Sequence, residues 1–253
     1  EAGSAPVETT REFTKNELYR LLVAEFAAKR DDMPRAIREY ISVAATSRDV
    51  AVAERAVRLA MKAGDESGSL EAARIWSSIS PESSKATQVY GALLMRAGKL
   101  DEAIAQFEII VTDSGPVAGF DTVSEVLSRE RDKKSAMEAM RRLTAPFKGN
   151  THALYAFAKL AARASELEQA TELLESLLSI DPNHERGAVF YARVLQQTGN
   201  ITAALETLER SLEKNQNSQA MRMTYARLLV DAKHYDEARH QFEVLTERLP
   251  DNV

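Results

Sequence analysis

Lys159, Arg193 and Arg227 follow one another at intervals of 34 residues, and Tyr155, Arg163 and Arg186 each lie within two helical turns of one of them. Ammonium and guanidinium groups hold carboxylates through charge-assisted hydrogen bonds, the guanidinium as a planar two-pronged donor. A tyrosine ring beside them adds a stacking surface, and His152 stands three residues before Tyr155. The set Tyr155, Lys159, Arg163, Arg186, Arg193 and Arg227 is therefore a candidate site for an acidic or extended segment of a partner protein. Arg163 has a second explanation, because a cation in the last turn of a helix complements the helix dipole whether or not a ligand is present.

Residues suited to catalysis or metal binding are sparse. The four histidines, His152, His184, His234 and His240, make no His-x-x-x-His pair and no His-Glu-x-x-His motif. Gly64-Asp65-Glu66-Ser67-Gly68 has one residue too many before its serine for a nucleophile elbow, which also requires a strand before the turn. There is no cysteine, which excludes disulfides, thiol catalysis and thiolate-bound zinc. The formal net charge of −5 disfavours generic attraction to nucleic acid or anionic lipid. No apolar run approaches the ~20 residues that span a bilayer. The expectation is a non-enzymatic chain without cofactor or metal, whose partners are proteins rather than nucleic acid.

The stretch from Tyr90 to Phe107 supplies the pattern that must position these residues. It reads as helix, tight turn, helix, with Gly98 in the turn because glycine takes a positive φ at a helix end without steric cost. Gly91 and Ala103 are small on the facing sides of the two helices, and Phe107, one turn beyond Ala103, fills the space next to them. Counterparts of Ala103 follow at intervals of 33 or 34 residues: Ala36, Ser69, Ala136, Ala170, Ala204 and Ala238. The Gly91 site is small or modest in every copy, and the Phe107 site is large and apolar in all but one, Ala73. No sustained period-two alternation calls for strands.

A constant period near 34 with this pattern resembles the tetratricopeptide repeat, across residues 17–253. The resemblance implies an all-α, right-handed superhelical solenoid of about seven helix-turn-helix repeats, each in contact mainly with its neighbours. Residues 1–14 read as a flexible polar leader. Repeats fall at about 17–49, 50–83, 84–116, 117–150, 151–184, 185–218 and 219–253. Leu18, Leu21, Leu22 and Phe26 form an apolar stripe on the first helix, and Pro34 suits a first helical position of the second. The turn around Gly64 and Gly68 reads as the loosest, Thr112–Pro116 as a helix stop, and Arg129–Lys134 as a solvated charged turn. Trp76 occupies a core site. Pro250-Asp251-Asn252-Val253 resembles the linker that introduces a further repeat, so the chain is expected to be part of a longer array.

In such an array the first helices line the concave side, which places the six candidate residues in one groove. The Lys and Asn pair by which tetratricopeptide co-chaperones hold the carboxylate of cytosolic heat-shock proteins has no counterpart in any copy. Closer in phrase, Glu17–Phe26, Ala36–Tyr40 and Val52–Ala60 resemble the opening repeats of bacterial tetratricopeptide lipoproteins anchored to the outer membrane. That resemblance implies a periplasmic adaptor, tethered through a lipid anchor upstream of Glu1, that binds a carboxyl-terminal processing protease and its cell-wall hydrolase substrates. The alternative expectation is an assembly factor of a pilus, secretion or polysaccharide-export machine. Composition alone fits the cytoplasm equally.

Overall fold

A computed structural model describes residues 12–248, with side chains to 246. Two compact units divide the chain, the first ending at Ile110 and the second starting at Val111. The first holds α1 (Lys15–Lys29), α2 (Met33–Ser47), α3 (Val50–Ala63), α4 (Glu66–Ile79), α5 (Ser84–Arg96) and the start of α6 (Leu100–Ser128). The second holds the rest of α6, α7 (Lys133–Thr144), α8 (Thr151–Arg163), α9 (Leu167–Ile180), α10 (Glu185–Gln197), α11 (Ile201–Lys214), α12 (Gln219–Asp231) and α13 (Tyr235–Arg248). No strand occurs among the described residues. The expected all-α stack of tetratricopeptide-type helix pairs is what both units contain.

Short polar side chains start the helices. Thr14 and Glu17 form a reciprocal capping box on α1, with Thr14 N–H donating to Glu17 Oε2 at 2.8 Å and Glu17 N–H to Thr14 Oγ1 at 3.2 Å. Asp49, Asn150 and Ser218 accept from first-turn amides of α3, α8 and α12 in the same manner. Left-handed residues end the first helix of several pairs. Gly98 (φ 71°) and Gly199 (φ 83°) do so without strain, while Asp31, Ser165 and Lys233 take the same conformation at φ 64°, 67° and 65°. A non-glycine side chain there costs roughly 1–2 kcal/mol, so the turn geometry is imposed by the packing of the helices it joins.

The spacing between helices is set by the small and large sites. Ala36, Ala103, Ala136, Ala170 and Ala204 are fully buried, as is Phe107. A Cβ built on Gly91 would lie 2.6 Å from Phe107 Cε1, so glycine lets the phenylalanine ring lie directly against the backbone of α5. Trp76 is buried as expected, over a core of α3 and α4, with Lys85 Nζ 5.5 Å from its ring. Its Nε1 is enclosed without a hydrogen-bond partner, a desolvation cost of about 1–3 kcal/mol offset by the apolar area of the ring.

Four expectations are corrected. The Gly64 turn is the shortest within any helix pair, not the loosest: α3 ends at Ala63, α4 begins at Glu66, and Asp65 caps α4 by accepting from Gly68 N–H at 2.9 Å. Gly68 lies inside α4, where a Cβ would meet Asp65 Oδ2 at 2.3 Å and Ile37 Cγ2 at 3.0 Å. The stop at Thr112–Pro116, by contrast, is where it was expected and needs no loop: Gly115 alone leaves helical geometry (φ 73°, ψ 165°), and the two helical stretches of α6 meet across it. In the charged turn, Glu130 is buried rather than solvated. Finally, Leu18, Leu22 and Phe26 are exposed, and α1 buries Ala24 and Ala27 instead. α2 also starts one residue earlier than expected, at Met33. Most of the leader and the Pro250–Val253 linker lie outside the described residues.

Candidate partner-binding site

All six candidate residues belong to the second unit, and the structure divides them into three groups. On α8, Tyr155, Lys159 and Arg163 succeed one another at four-residue steps and so share one helix face. Opposite them on the last part of α6 are Asp121 and Glu125, also four apart. Lys159 Nζ donates to Asp121 Oδ1 at 2.9 Å; Arg163 donates to Glu125 Oε2 at 2.7 Å and to Ser128 Oγ at 2.8 Å. Arg129 reaches Glu125 at 3.1 Å. Arg163 and Arg129 hold the Glu125 carboxyl below its ordinary range by hydrogen bonds and charge. The α8 cations thus have carboxylate partners within the chain.

Tyr155 and Arg186 form the second group. The Tyr155 ring lies 5.7 Å from the His184 ring and 5.8 Å from that of Phe190, while the Arg186 guanidinium sits 4.9 Å from its centroid and Lys159 Nζ 5.8 Å. Cations and rings from α8 and α10 therefore occupy the tyrosine surface that the sequence offered to a ligand. His184 also caps α10: its Nδ1 accepts the Gly187 N–H at 2.9 Å. A Cβ on residue 187 would come within 2.9 Å of that nitrogen and 2.6 Å of Leu177 Cδ2, which explains the glycine.

The cap makes the start of α10 sensitive to pH. Burial pushes the His184 imidazole below its ordinary value of 6.5; His152 and Arg186 add to the shift and Asp181 opposes it. Protonating Nδ1 removes the acceptor. Because the folded value is the lower one, the contribution is complete above the unfolded value and lost as pH falls through the folded value. Thermal midpoints are expected to fall on acidification below about pH 6.5. His184→Asn, which caps without titrating there, is expected to flatten that dependence, whereas His184→Ala costs about 1 kcal/mol at pH 7.5.

Arg193 on α10 and Arg227 on α12 make up the third group. Both are exposed and neither side chain forms an ion pair or hydrogen bond among the described residues. They line one open cleft of about 530 Å³ with Leu228, Val230 and Phe242 supplying apolar wall and Thr224 a hydroxyl. Gln196 Nε2 donates to Asp231 Oδ2 at 2.5 Å along the rim, which occupies the one carboxylate in the cleft. Two uncommitted guanidinium groups over an apolar floor can take a carboxylate together with a neighbouring apolar side chain. Reading the sequence one repeat position at a time missed Asp121, Glu125, Gln196 and Phe242. The signal for the first two was present: each lies 38 residues from its partner, one period plus one helical turn.

Elsewhere among the described residues no three His, Asp or Glu side chains gather as a metal cluster, and no helix is long and apolar enough to cross a membrane.

Comparison with known proteins bears on the same unit. Residues 165–245 match the family described as anaphase-promoting complex, cyclosome, subunit 3. A TPR repeat-containing protein of Pseudomonas aeruginosa is 27% identical over 185 residues, which cover 68% of this chain and 31% of that protein. The chain thus spans about a third of the length of that relative. Among solved structures, the C-terminal part of a TPR repeat-containing protein from Cytophaga hutchinsonii is similar over 92% of this chain and 96% of that one, with 15% identity and a TM-score of 0.46. PilW, a type IV pilus biogenesis factor, is similar over 83% and 99% respectively, with 15% identity and a TM-score of 0.41. The 34-residue period and the stacked helix pairs give the chain an all-α fold of tetratricopeptide-type repeats.

Proposed function

We propose that this chain is a non-enzymatic adaptor that holds an acidic, extended segment of a partner protein in the cleft of Arg193 and Arg227. The observation that carries the reading is that these two cations are uncommitted, while Lys159 and Arg163 spend their charge on Asp121 and Glu125. An unpaired, exposed guanidinium contributes little to stability, so its presence over an apolar cleft is better accounted for by a ligand than by the fold.

The opening repeats extend the proposal to the bacterial periplasm, at the outer membrane, with a carboxyl-terminal processing protease and cell-wall hydrolases as partners. Resemblance to tetratricopeptide lipoproteins over residues 17–80 supports that part, as does a bacterial relative that carries the repeats. Affinity capture from a periplasmic extract with this chain, beside an Arg193→Glu/Arg227→Glu variant, tests both. Capture of a protease or wall hydrolase that disappears with the variant is the expected result. Capture that survives the variant removes the cleft from the proposal. Recovery of pilus or export components in place of a protease removes the adaptor role and favours an assembly factor.

A further inference from the structure

We infer that the second helices carry a separate binding cleft, at Ser211 on α11, for an extended partner segment in which a basic and an acidic side chain stand two residues apart. Ser211 carries the argument. Its site is apolar in the other six copies, where Val43, Trp76, Ile110, Leu143, Leu177 and Leu245 are all buried. Ser211 is buried too, at 7% exposure, yet its hydroxyl makes no hydrogen bond among the described residues. Hydroxyls nearby do: Thr207 donates to the Ala203 carbonyl and Ser176 to that of Glu172, both at 2.8 Å. Packing explains a small side chain at this site. Leu177 packs on Gly187, whereas the counterpart of Gly187 beside Ser211 is the fully buried Met221, which supplies the core volume from α12. Volume does not explain a hydroxyl, because alanine would be as small without leaving a buried polar group unpaired.

Ser211 lines an open cleft of about 440 Å³ between α9 and α11. The cleft is internal to the array, since α8 precedes it and α12 and α13 follow. Leu178 and Pro182 give it an apolar wall, and at its side Tyr191 on α10 donates to Glu175 Oε1 at 2.5 Å. Along α11, Glu206, Arg210 and Lys214 line it at four-residue steps. All three are exposed, and none of their side chains forms an ion pair or hydrogen bond among the described residues. One acid followed by two cations calls for both signs of charge in the occupant. Four helical residues rise about 6 Å, and side chains two apart on an extended strand stand about 6.6 Å apart on one side. A lysine or arginine over Glu206 therefore sets an aspartate or glutamate over Arg210 and Lys214. Ser211, next to Arg210, is left to donate its hydroxyl to a main-chain carbonyl of the segment. The cleft shares no residue with that of Arg193 and Arg227, so both can be filled at once.

Fluorescence anisotropy tests this with a labelled peptide in which lysine and glutamate alternate with threonine, a residue that favours extended chain. The chain is expected to bind it, and Arg193→Ala/Arg227→Ala, which disables the other cleft, to bind it equally well. Arg210→Glu/Lys214→Glu is expected to weaken binding by about tenfold or more through the loss of charged hydrogen bonds. Both positions are exposed, and Lys214→Ala alone is expected to shift affinity in the same direction. Ser211→Ala is expected to weaken binding about fivefold, the loss of one neutral hydrogen bond, without lowering the thermal midpoint. A peptide that does not bind, or that is lost with Arg193→Ala/Arg227→Ala, overturns the inference. So does an affinity that ignores the substitutions on α11, or a Ser211→Ala chain that loses thermal stability.

Discussion

Replacing Phe107 by alanine is expected to lower stability by about 3–5 kcal/mol, the range for deleting a fully buried phenylalanine side chain. The ring is completely enclosed and lies against Gly91, which has no side chain that could move into the cavity. The surrounding helices are held by their own small sites, so the cavity stays open. Urea denaturation followed by circular dichroism measures the loss. The converse substitution, Gly91→Ala, places a methyl 2.6 Å from Phe107 Cε1 and is expected to cost about 1–3 kcal/mol through overpacking. Pairing Gly91→Ala with Phe107→Leu is expected to cost less than the sum of the single changes, since the smaller side chain vacates the space the methyl needs. Strict additivity would show that the two sites are not the interlocking pair that sets the distance between α5 and α6. Because neighbouring pairs are stabilised chiefly by one another, the loss should be concentrated in the first unit rather than spread along the chain.

The second large effect is on binding. An extended peptide in which glutamate alternates with leucine is expected to bind the chain, and Arg193→Glu/Arg227→Glu is expected to weaken it by roughly 100-fold or more. Each lost charged hydrogen bond contributes about 1.5–3 kcal/mol, and 1.4 kcal/mol is a factor of ten. The reversed charge adds repulsion, so raising the salt concentration should reduce the difference between variant and wild type. Lys159→Ala serves as the contrast. Its ammonium is already committed to Asp121 at 2.9 Å, so its removal is expected to change peptide affinity less than about threefold. Fluorescence anisotropy with a labelled peptide reads all three. A Lys159 effect as large as that of the arginine pair would move the site to the α8 face and Tyr155.

The spacing of residues was sufficient for much of this. Fourteen helical stretches, their pairing, the small site at Gly91 and the large one at Phe107 follow from a 3.6-residue period nested in a 34-residue one. The structure adds the caps that fix the helix starts, as at Thr14, Asp49 and Ser218. Helix boundaries were hard to read from sequence where cap and glycine compete. Gly64, Asp65 and Gly68 look like an open loop in sequence, yet one carboxylate accepting one amide folds them into a two-residue turn. Gly115 and Pro116 signal a stop correctly but not its length, which depends on whether the next helix can begin at once.

Sequence by itself therefore determined the repeat: its period, which residues face inward within a helix pair, and which first-helix positions carry cations. Those features are local, because each depends on neighbours within a few turns of the same segment. Tertiary structure alone decided which cations are spent and which faces are covered. Lys159 and Arg163 meet carboxylates from the preceding pair, Tyr155 is taken up by Arg186 and His184, and Arg193 and Arg227 are left facing solvent. Likewise, the apolar stripe of α1 has the composition of buried faces elsewhere but lies exposed. Charge neutralisation and burial both depend on what the adjoining helix presents across a few ångströms, and the residues that present it lie about one period away along the chain.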